Sequence, residues 1–137
     1  MHVTLREVTP DDSKLLYHLL KERPKQANIS HDGNLPIFEE HEVFVKSNPY
    51  DHWFIINGFD LGADRDVGAV YITDRNEIGI AVLKRFHRKG FASAAIRELM
   101  QLVPRDNYLA NIAPSNMESQ RMFKRMKFKC VQYTLKL

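Results

Sequence analysis

Val3 and Leu5 fall on one side of the opening stretch Met1-His2-Val3-Thr4-Leu5-Arg6, a period-two pattern that predicts a strand. Thr9-Pro10-Asp11-Asp12 then reads as a helix start, with a threonine cap, proline at the first helical position and acids in the first turn. Leu15, Leu16, Leu19 and Leu20 give that helix its apolar stripe, and Arg23-Pro24 ends it. Residues 24–36 are polar and turn-rich. Ile37, Phe38, His41, Phe44 and Val45 recur at helical spacing up to Asn48-Pro49. Three strand-like runs follow, Trp53–Ile56, Val67–Ile72 and Glu77–Leu83. The loop Asn57–Asp66 and the tight Thr73–Asn76 segment join them into an antiparallel meander.

After Gly90 the period changes. Ala92, Ala95, Ile96, Leu99 and Leu102 form one face of a helix ending near Pro104. Tyr108–Ile112 predicts a short strand, Ser115 or Asn116 caps a last helix through Met126, and Phe128–Leu137 predicts a closing strand. The whole string predicts one mixed α/β domain of the α+β type, residues 1–137, around a mainly antiparallel sheet.

Composition narrows the function classes. No apolar run approaches the roughly 20 residues that span a bilayer, and the N-terminus lacks a signal-like apolar stretch. A lone cysteine, Cys130, forms no internal disulfide, which suits a reducing cytoplasm. The six histidines lack ligand spacing, so no metal site is expected. A net charge of +3 admits a polyanionic partner. The aromatics, however, lie in core-like patterns and are not interleaved with the basic residues, which argues against a nucleic-acid-binding module.

The basic residues concentrate in Lys84, Arg85, His87, Arg88 and Lys89, between an apolar strand and an amphipathic helix. The first N–H groups of a helix have no intrahelical acceptor and sit at the positive end of its dipole. Gly90 and Ala92 keep side chains out of the way where a ligand must approach the backbone, so the segment reads as a pyrophosphate cradle. It lacks the Gly-Lys-Ser/Thr of a P-loop and the three spaced glycines of a dinucleotide fingerprint.

His87-Arg88-Lys89-Gly90-Phe91-Ala92, after Glu-Ile-Gly-Ile-Ala-Val, resembles the acyl-CoA loop of the GCN5-related N-acetyltransferases (GNATs). Asn111-Ile112-x-Pro114-x-Asn116-x-x-Ser119, Met122-Phe123 and Met126-Lys127-Phe128 resemble their second motif. Three positions depart from it: His87 replaces Arg or Gln, Lys127 replaces glycine, and Phe123 stands where many members carry a tyrosine that protonates the departing thiolate. The resemblance implies a sheet of six to seven strands with about four helices, and acetyl-CoA as the acetyl donor. It assigns the pantetheine arm to Ala81, Val82 and Leu83, with the Val82 N–H facing the thioester oxygen. It assigns the pyrophosphate to His87, Arg88, Lys89, Gly90, Phe91, Ala92 and Ser93, and further cofactor contact to Asn116 and Phe123.

Glu77 is the expected general base, because the resemblance places a carboxylate of this kind on the strand in many members, where it can accept the proton of the attacking amine. The alternative for Glu77 is a surface glutamate paired with a lysine, and for Asn116 a helix cap alone. Acceptor contacts are expected from the first half, at His31, His41 and Trp53, together with Glu77. A lone histidine on an apolar stripe, as His41 is, more often belongs to the core. Pro36-x-Phe38-Glu39-Glu40-His41-x-x-Phe44 resembles members that acetylate nucleotide-linked amino sugars, whereas Asn-x-x-Ser resembles members acting on protein N-termini. A small-molecule amine is therefore the expected acceptor, with a protein N-terminus and a non-catalytic acyl-CoA binder as alternatives. A homodimer stays open.

Overall fold

The computed structural model describes residues 1–23 and 35–137. Its elements are β1 (Val3–Glu7), α1 (Ser13–Glu22), α2 (Phe38–Ser47), β2 (His52–Asp60), β3 (Ala63–Ile72), β4 (Glu77–Val82), α3 (Phe91–Leu102), β5 (Leu109–Ala110) and α4 (Met117–Arg125). Short 3-10 turns at Pro10–Asp12 and Lys84–Phe86 lead toward α1 and α3. The sheet runs in the order β1-β2-β3-β4-β5, antiparallel throughout except for the parallel β4–β5 pair. Among the described residues no helix is long and apolar enough to cross a membrane.

The start of α1 follows from Asp12. Its carboxylate accepts the Thr9 N–H at 2.9 Å and a forked pair of bonds from Arg6 at 2.9 and 3.0 Å, tying the turn to β1. Burial opposes the charge on Asp12, but the Arg6 and Thr9 hydrogen bonds outweigh it and hold the carboxyl below the ordinary carboxylate range.

Side-chain alternation along β2 assigns the helices to faces. Gly58 lies beneath Phe91 of α3, where a Cβ would meet the ring at 2.4 Å, so the glycine lets α3 sit down on the sheet. Trp53, of opposite parity, meets Phe44 of α2 with ring centroids 5.9 Å apart. α3 thus covers one face through Phe91, Ala95, Ile96 and Leu99, while α1 and α2 cover the other. Ile55, Ile56, Val67, Val70 and Ile72 fill the fully buried centre.

Two expectations need correction. Residues 57–66 are not a long loop: β2 and β3 continue through them to a tight turn at Leu61 and Gly62, both at positive φ (50° and 81°). Asn57 and Asp66 bond across the ladder at 3.1 Å, and Arg65 Nε donates to Asp60 O at 2.9 Å, so polar residues hold a hairpin that extends beyond the core. Among the described residues the sheet has five strands where six to seven were expected, and residues 128–137 form no strand.

Candidate active site

β4 has two edges, and the ladder decides which residues face each. Leu83 N–H donates to Val67 O and Thr73 N–H to Glu77 O, both at 2.9 Å, so odd-numbered positions exchange hydrogen bonds with β3. Ile78, Ile80 and Val82 therefore aim their backbone groups toward β5. There the pairing stops early: β5 matches only Glu77 and Ile78. Ile80 and Val82 line an open edge where β4 and β5 part. Ala81 and Leu83, assigned to the cofactor arm by the resemblance, lie on the other edge. Both turn their backbones to β3, and Ala81 O lies so close to Gly68 that a Cβ there would stand 2.2 Å away. Sequence reasoning missed Ile80, because strand register is invisible in composition or periodicity.

The open edge leads into the basic turn. Buried Phe86 packs edge-on against Phe91 at 6.1 Å and anchors it. Lys84 N–H donates to Glu22 Oε1 of α1 at 2.8 Å, fixing the turn from the other side. His87 Nε2 lies 2.7 Å from Val82 O and donates to it, which leaves Nδ1 facing away from that bond. Arg88 (φ 63°) and Gly90 (φ 87°) both take left-handed backbone, and a Cβ on Gly90 would meet nothing within 4 Å. The glycine is there for its conformation and for open space above the helix start. Among the described residues the N–H groups of Phe91, Ala92 and Ser93 find no acceptor, while Ala94 N–H begins the helix by donating to Gly90 O at 3.1 Å. Lys89 is paired with Asp60 at 2.9 Å and Arg88 with Glu118 of α4 at 3.4 Å. Three unsatisfied donors at the positive end of α3, ringed by cations, suit a phosphate-bearing ligand.

At the other end of β4, Glu77 is half-buried, with both carboxylate oxygens held. Thr73 Oγ1 donates to Oε1 at 3.2 Å and Asn111 Nδ2 to Oε2 at 2.7 Å. No lysine is paired with it among the described residues. Tyr71, which the sequence did not single out, shares this face, with its ring lying directly over Gly79. It stacks on Tyr50 with centroids 3.7 Å apart and planes 6° from parallel. Burial foremost, together with the neighbouring Tyr71, pushes the Tyr50 phenol well above its ordinary range.

A splayed strand pair, a donor-rich helix start and a held carboxylate thus lie along one strand and its following turn. The family model described as Acetyltransferase (GNAT) domain matches residues 2–129. The chain belongs to the GNAT acetyltransferase family. No curated protein matches it in sequence. Among solved structures, a domain from Methanocaldococcus jannaschii superposes with a TM-score of 0.81 at 21% identity, covering 97% of this chain and 92% of that one. An acetyltransferase from Thermus thermophilus gives 0.70 at 17% identity, covering 96% and 90%. A spermidine N-acetyltransferase SpeG chimera from Vibrio cholerae and hSSAT gives 0.69 at 20%, covering 91% and 79%.

Within this GNAT fold the remaining named residues fall in different places. Asn116 caps α4, its side-chain oxygen accepting Ser119 N–H at 3.2 Å. Phe123 is buried and packs edge-on against Phe128 at 4.9 Å. His41 is buried between α1 and α2, with Nε2 3.2 Å from Ser13 O and its ring 5.2 Å from Tyr17. Burial lowers its pKa against the opposing pull of the Ser13 carbonyl and Glu42. Trp53 is buried against Phe44 and Tyr50, behind Tyr71 and not at an open surface. Both side chains thus pack in the core. His31 lies outside the described residues. Tyr108 O–H reaches the carbonyls of Met100 and Val103 and accepts Arg105 N–H, so it is engaged away from β4.

Proposed function

We propose that this chain transfers the acetyl group of acetyl-CoA to a small primary amine by direct attack in a ternary complex. The observation that carries the proposal is the open edge of β4 running without interruption into the donor-rich start of α3. Free N–H groups at Ile80, Val82, Phe91, Ala92 and Ser93 fit a ligand with amides at one end and a pyrophosphate at the other. When bound, acetyl-CoA supplies an activated acyl thioester.

Phe91, Ala92 and Ser93 N–H, with Arg88 and Lys89 beside them, take the pyrophosphate, and Gly90 leaves room for it. Val82, next to the turn, holds the pantetheine arm. Ile80 lies about 6.6 Å farther along the strand, nearer Glu77. Its N–H is therefore the better-placed donor to the thioester oxygen than Val82, an oxyanion-type contribution of about 3 kcal/mol. Glu77, aimed by Thr73 and Asn111, accepts the proton of the attacking amine directly or through water. Phe123 offers no hydroxyl, but a thiol of pKa about 8.5 leaves tolerably as thiolate near neutrality. Tyr71 O–H over Gly79 is the phenol nearest the parting strands, and it or water supplies that proton.

The Pro36–Phe44 segment favours an amino-sugar acceptor linked to a nucleotide. Since one structural match is a spermidine acetyltransferase, polyamines belong in the same screen. Release of free CoA thiol should be measured with three amine classes: nucleotide-linked amino sugars, polyamines and peptide N-termini. Turnover on amino sugars is expected. Turnover confined to peptides would replace the small-molecule reading with protein N-terminal acetylation. Tight acetyl-CoA binding with no release on any class would make the domain a non-catalytic acyl-CoA binder.

A further inference from the structure

The turn before α3 needs support from outside itself. Arg88 and Gly90, on either side of Lys89, both take left-handed backbone, and at a non-glycine residue that conformation is disfavoured in a free chain. Such a turn persists where surrounding structure over-determines it. Phe86 in the core, Glu22 on the Lys84 N–H and Val82 O on His87 hold it as far as His87, and buried Phe91 holds it beyond Gly90. Among the described residues, the polar ties of 88–90 to other elements are two ion pairs. Arg88–Glu118 spans 3.4 Å between side chains 87% and 62% exposed, and exposed pairs of that kind constrain little. Lys89–Asp60 differs: Nζ donates to both carboxylate oxygens, at 2.9 and 3.1 Å, and the Asp60 side chain is 15% exposed.

Asp60 is itself firmly placed. It opens the tight turn of the β2–β3 hairpin, where Leu61 and Gly62 at positive φ set it opposite Ala63, and Arg65 Nε donates to its carbonyl at 2.9 Å. Gly58, two residues back on the same face of β2, is where Phe91 sits. One strand face thus holds residue 91 through Gly58 and residue 89 through Asp60, with Gly90 between them. By charge alone Asp60 is out of place, because a carboxylate beside a phosphate site repels the anion that the site admits.

We propose that Asp60 is a positioning residue: the polar hairpin reaches beyond the core to brace the α3 turn, and acts on the cofactor only through Lys89. The ammonium has three donors. Asp60 engages two of them and leaves one for a phosphate oxygen, so Lys89 is aimed and not withdrawn. The effect of Asp60 on the cofactor rests on the turn being the pyrophosphate site proposed above, whereas its effect on the turn does not.

The ligand-free protein tests the brace first. NMR order parameters of the Arg88, Lys89 and Gly90 amides should fall from about 0.85 toward 0.6 in Asp60→Asn. They should fall likewise in Lys89→Met and recover in Asp60→Glu, which keeps the carboxylate. Calorimetry with acetyl-CoA reads the consequence. Asp60→Asn should bind about five- to tenfold more weakly than wild type, the size expected of coupled neighbours. In a Lys89→Met background the same change should leave binding unaltered or strengthen it, since only a repulsion is removed. Order parameters indifferent to Asp60→Asn would overturn the proposal. So would acetyl-CoA binding that Asp60→Asn leaves unchanged or tightens in the wild-type background, or weakens equally in both. A folded wild type that binds no acetyl-CoA would overturn the cofactor role, while the order parameters still decide the brace.

Discussion

Gly79→Ala is a single added methyl group with a calculable consequence. A Cβ at this position would lie 2.0 Å from Cζ, 2.2 Å from Cε2 and 2.4 Å from the hydroxyl of Tyr71. Ordinary carbon contacts begin near about 3.5 Å, so the ring must move by more than an ångström. It cannot simply lift: Tyr50 stacks on it at 3.7 Å and in turn abuts Trp53 at 4.9 Å. Overpacking of this kind costs about 1–3 kcal/mol, and a ring swung outward instead forfeits a stack worth about 0.5–1.5 kcal/mol. Against this, alanine gains about 0.5–1 kcal/mol over glycine in a strand. The net is a loss of about 1–2 kcal/mol, or a Tm lowered by ~4–8 °C at this chain length. Thermal unfolding of four proteins settles it: wild type, each single variant and Gly79→Ala/Tyr71→Ala. In the Tyr71→Ala background the methyl should be neutral or stabilising, giving a coupling above 1 kcal/mol on the order expected for contacting residues. Equal destabilisation in both backgrounds would refute the argument that Gly79 exists to seat Tyr71.

Glu77→Gln keeps the bond from Asn111 and the shape of the site but removes the base. It should lower kcat by about 10²–10⁴-fold with a Tm close to wild type, and a variant of undiminished kcat would remove Glu77 from the mechanism. His41 has a folded pKa below its unfolded value of 6.5, so its neutral form is the one that fits the core. Stability is then full above that unfolded pKa and falls as pH drops below it toward the folded pKa; urea midpoints between pH 7 and pH 5 should show the loss, and His41→Gln should flatten it. Asp12, also lowered, acts in a separate window: its contribution is present above 3.8 and is lost as pH falls further, so Asp12→Asn should erase the acid-side decline.

Much of this architecture was legible because burial writes a period into the sequence. The stripe Ala92-Ala95-Ile96-Leu99 and the run from Glu77 marked α3, β4 and the turn between them by pattern alone. The hairpin tip was not legible: Asn57, Asp60, Asp64 and Asp66 are held by ladder and side-chain bonds outside the core, where no hydrophobic period forms. Nor could the sequence choose Ile80 over Ala81, since parity at the β4 edge depends on which β3 residue stands opposite. The seat of Tyr71 over Gly79 is a register fact of the same kind. Residues 129–137 show the converse case, in which the alternation is plain but a strand needs an edge to pair with.

Calorimetric titration with acetyl-CoA, with ATP as a phosphate-bearing control, tests most directly the claim that the β4 edge and the α3 turn form one cofactor site. The account predicts micromolar binding of acetyl-CoA, much weaker binding of ATP, and loss of acetyl-CoA binding in Gly90→Glu, whose carboxylate would enter the open space above Phe91, Ala92 and Ser93. Equal affinity for ATP, or no binding at all by a folded wild-type protein, would contradict it and leave the turn as a basic helix start.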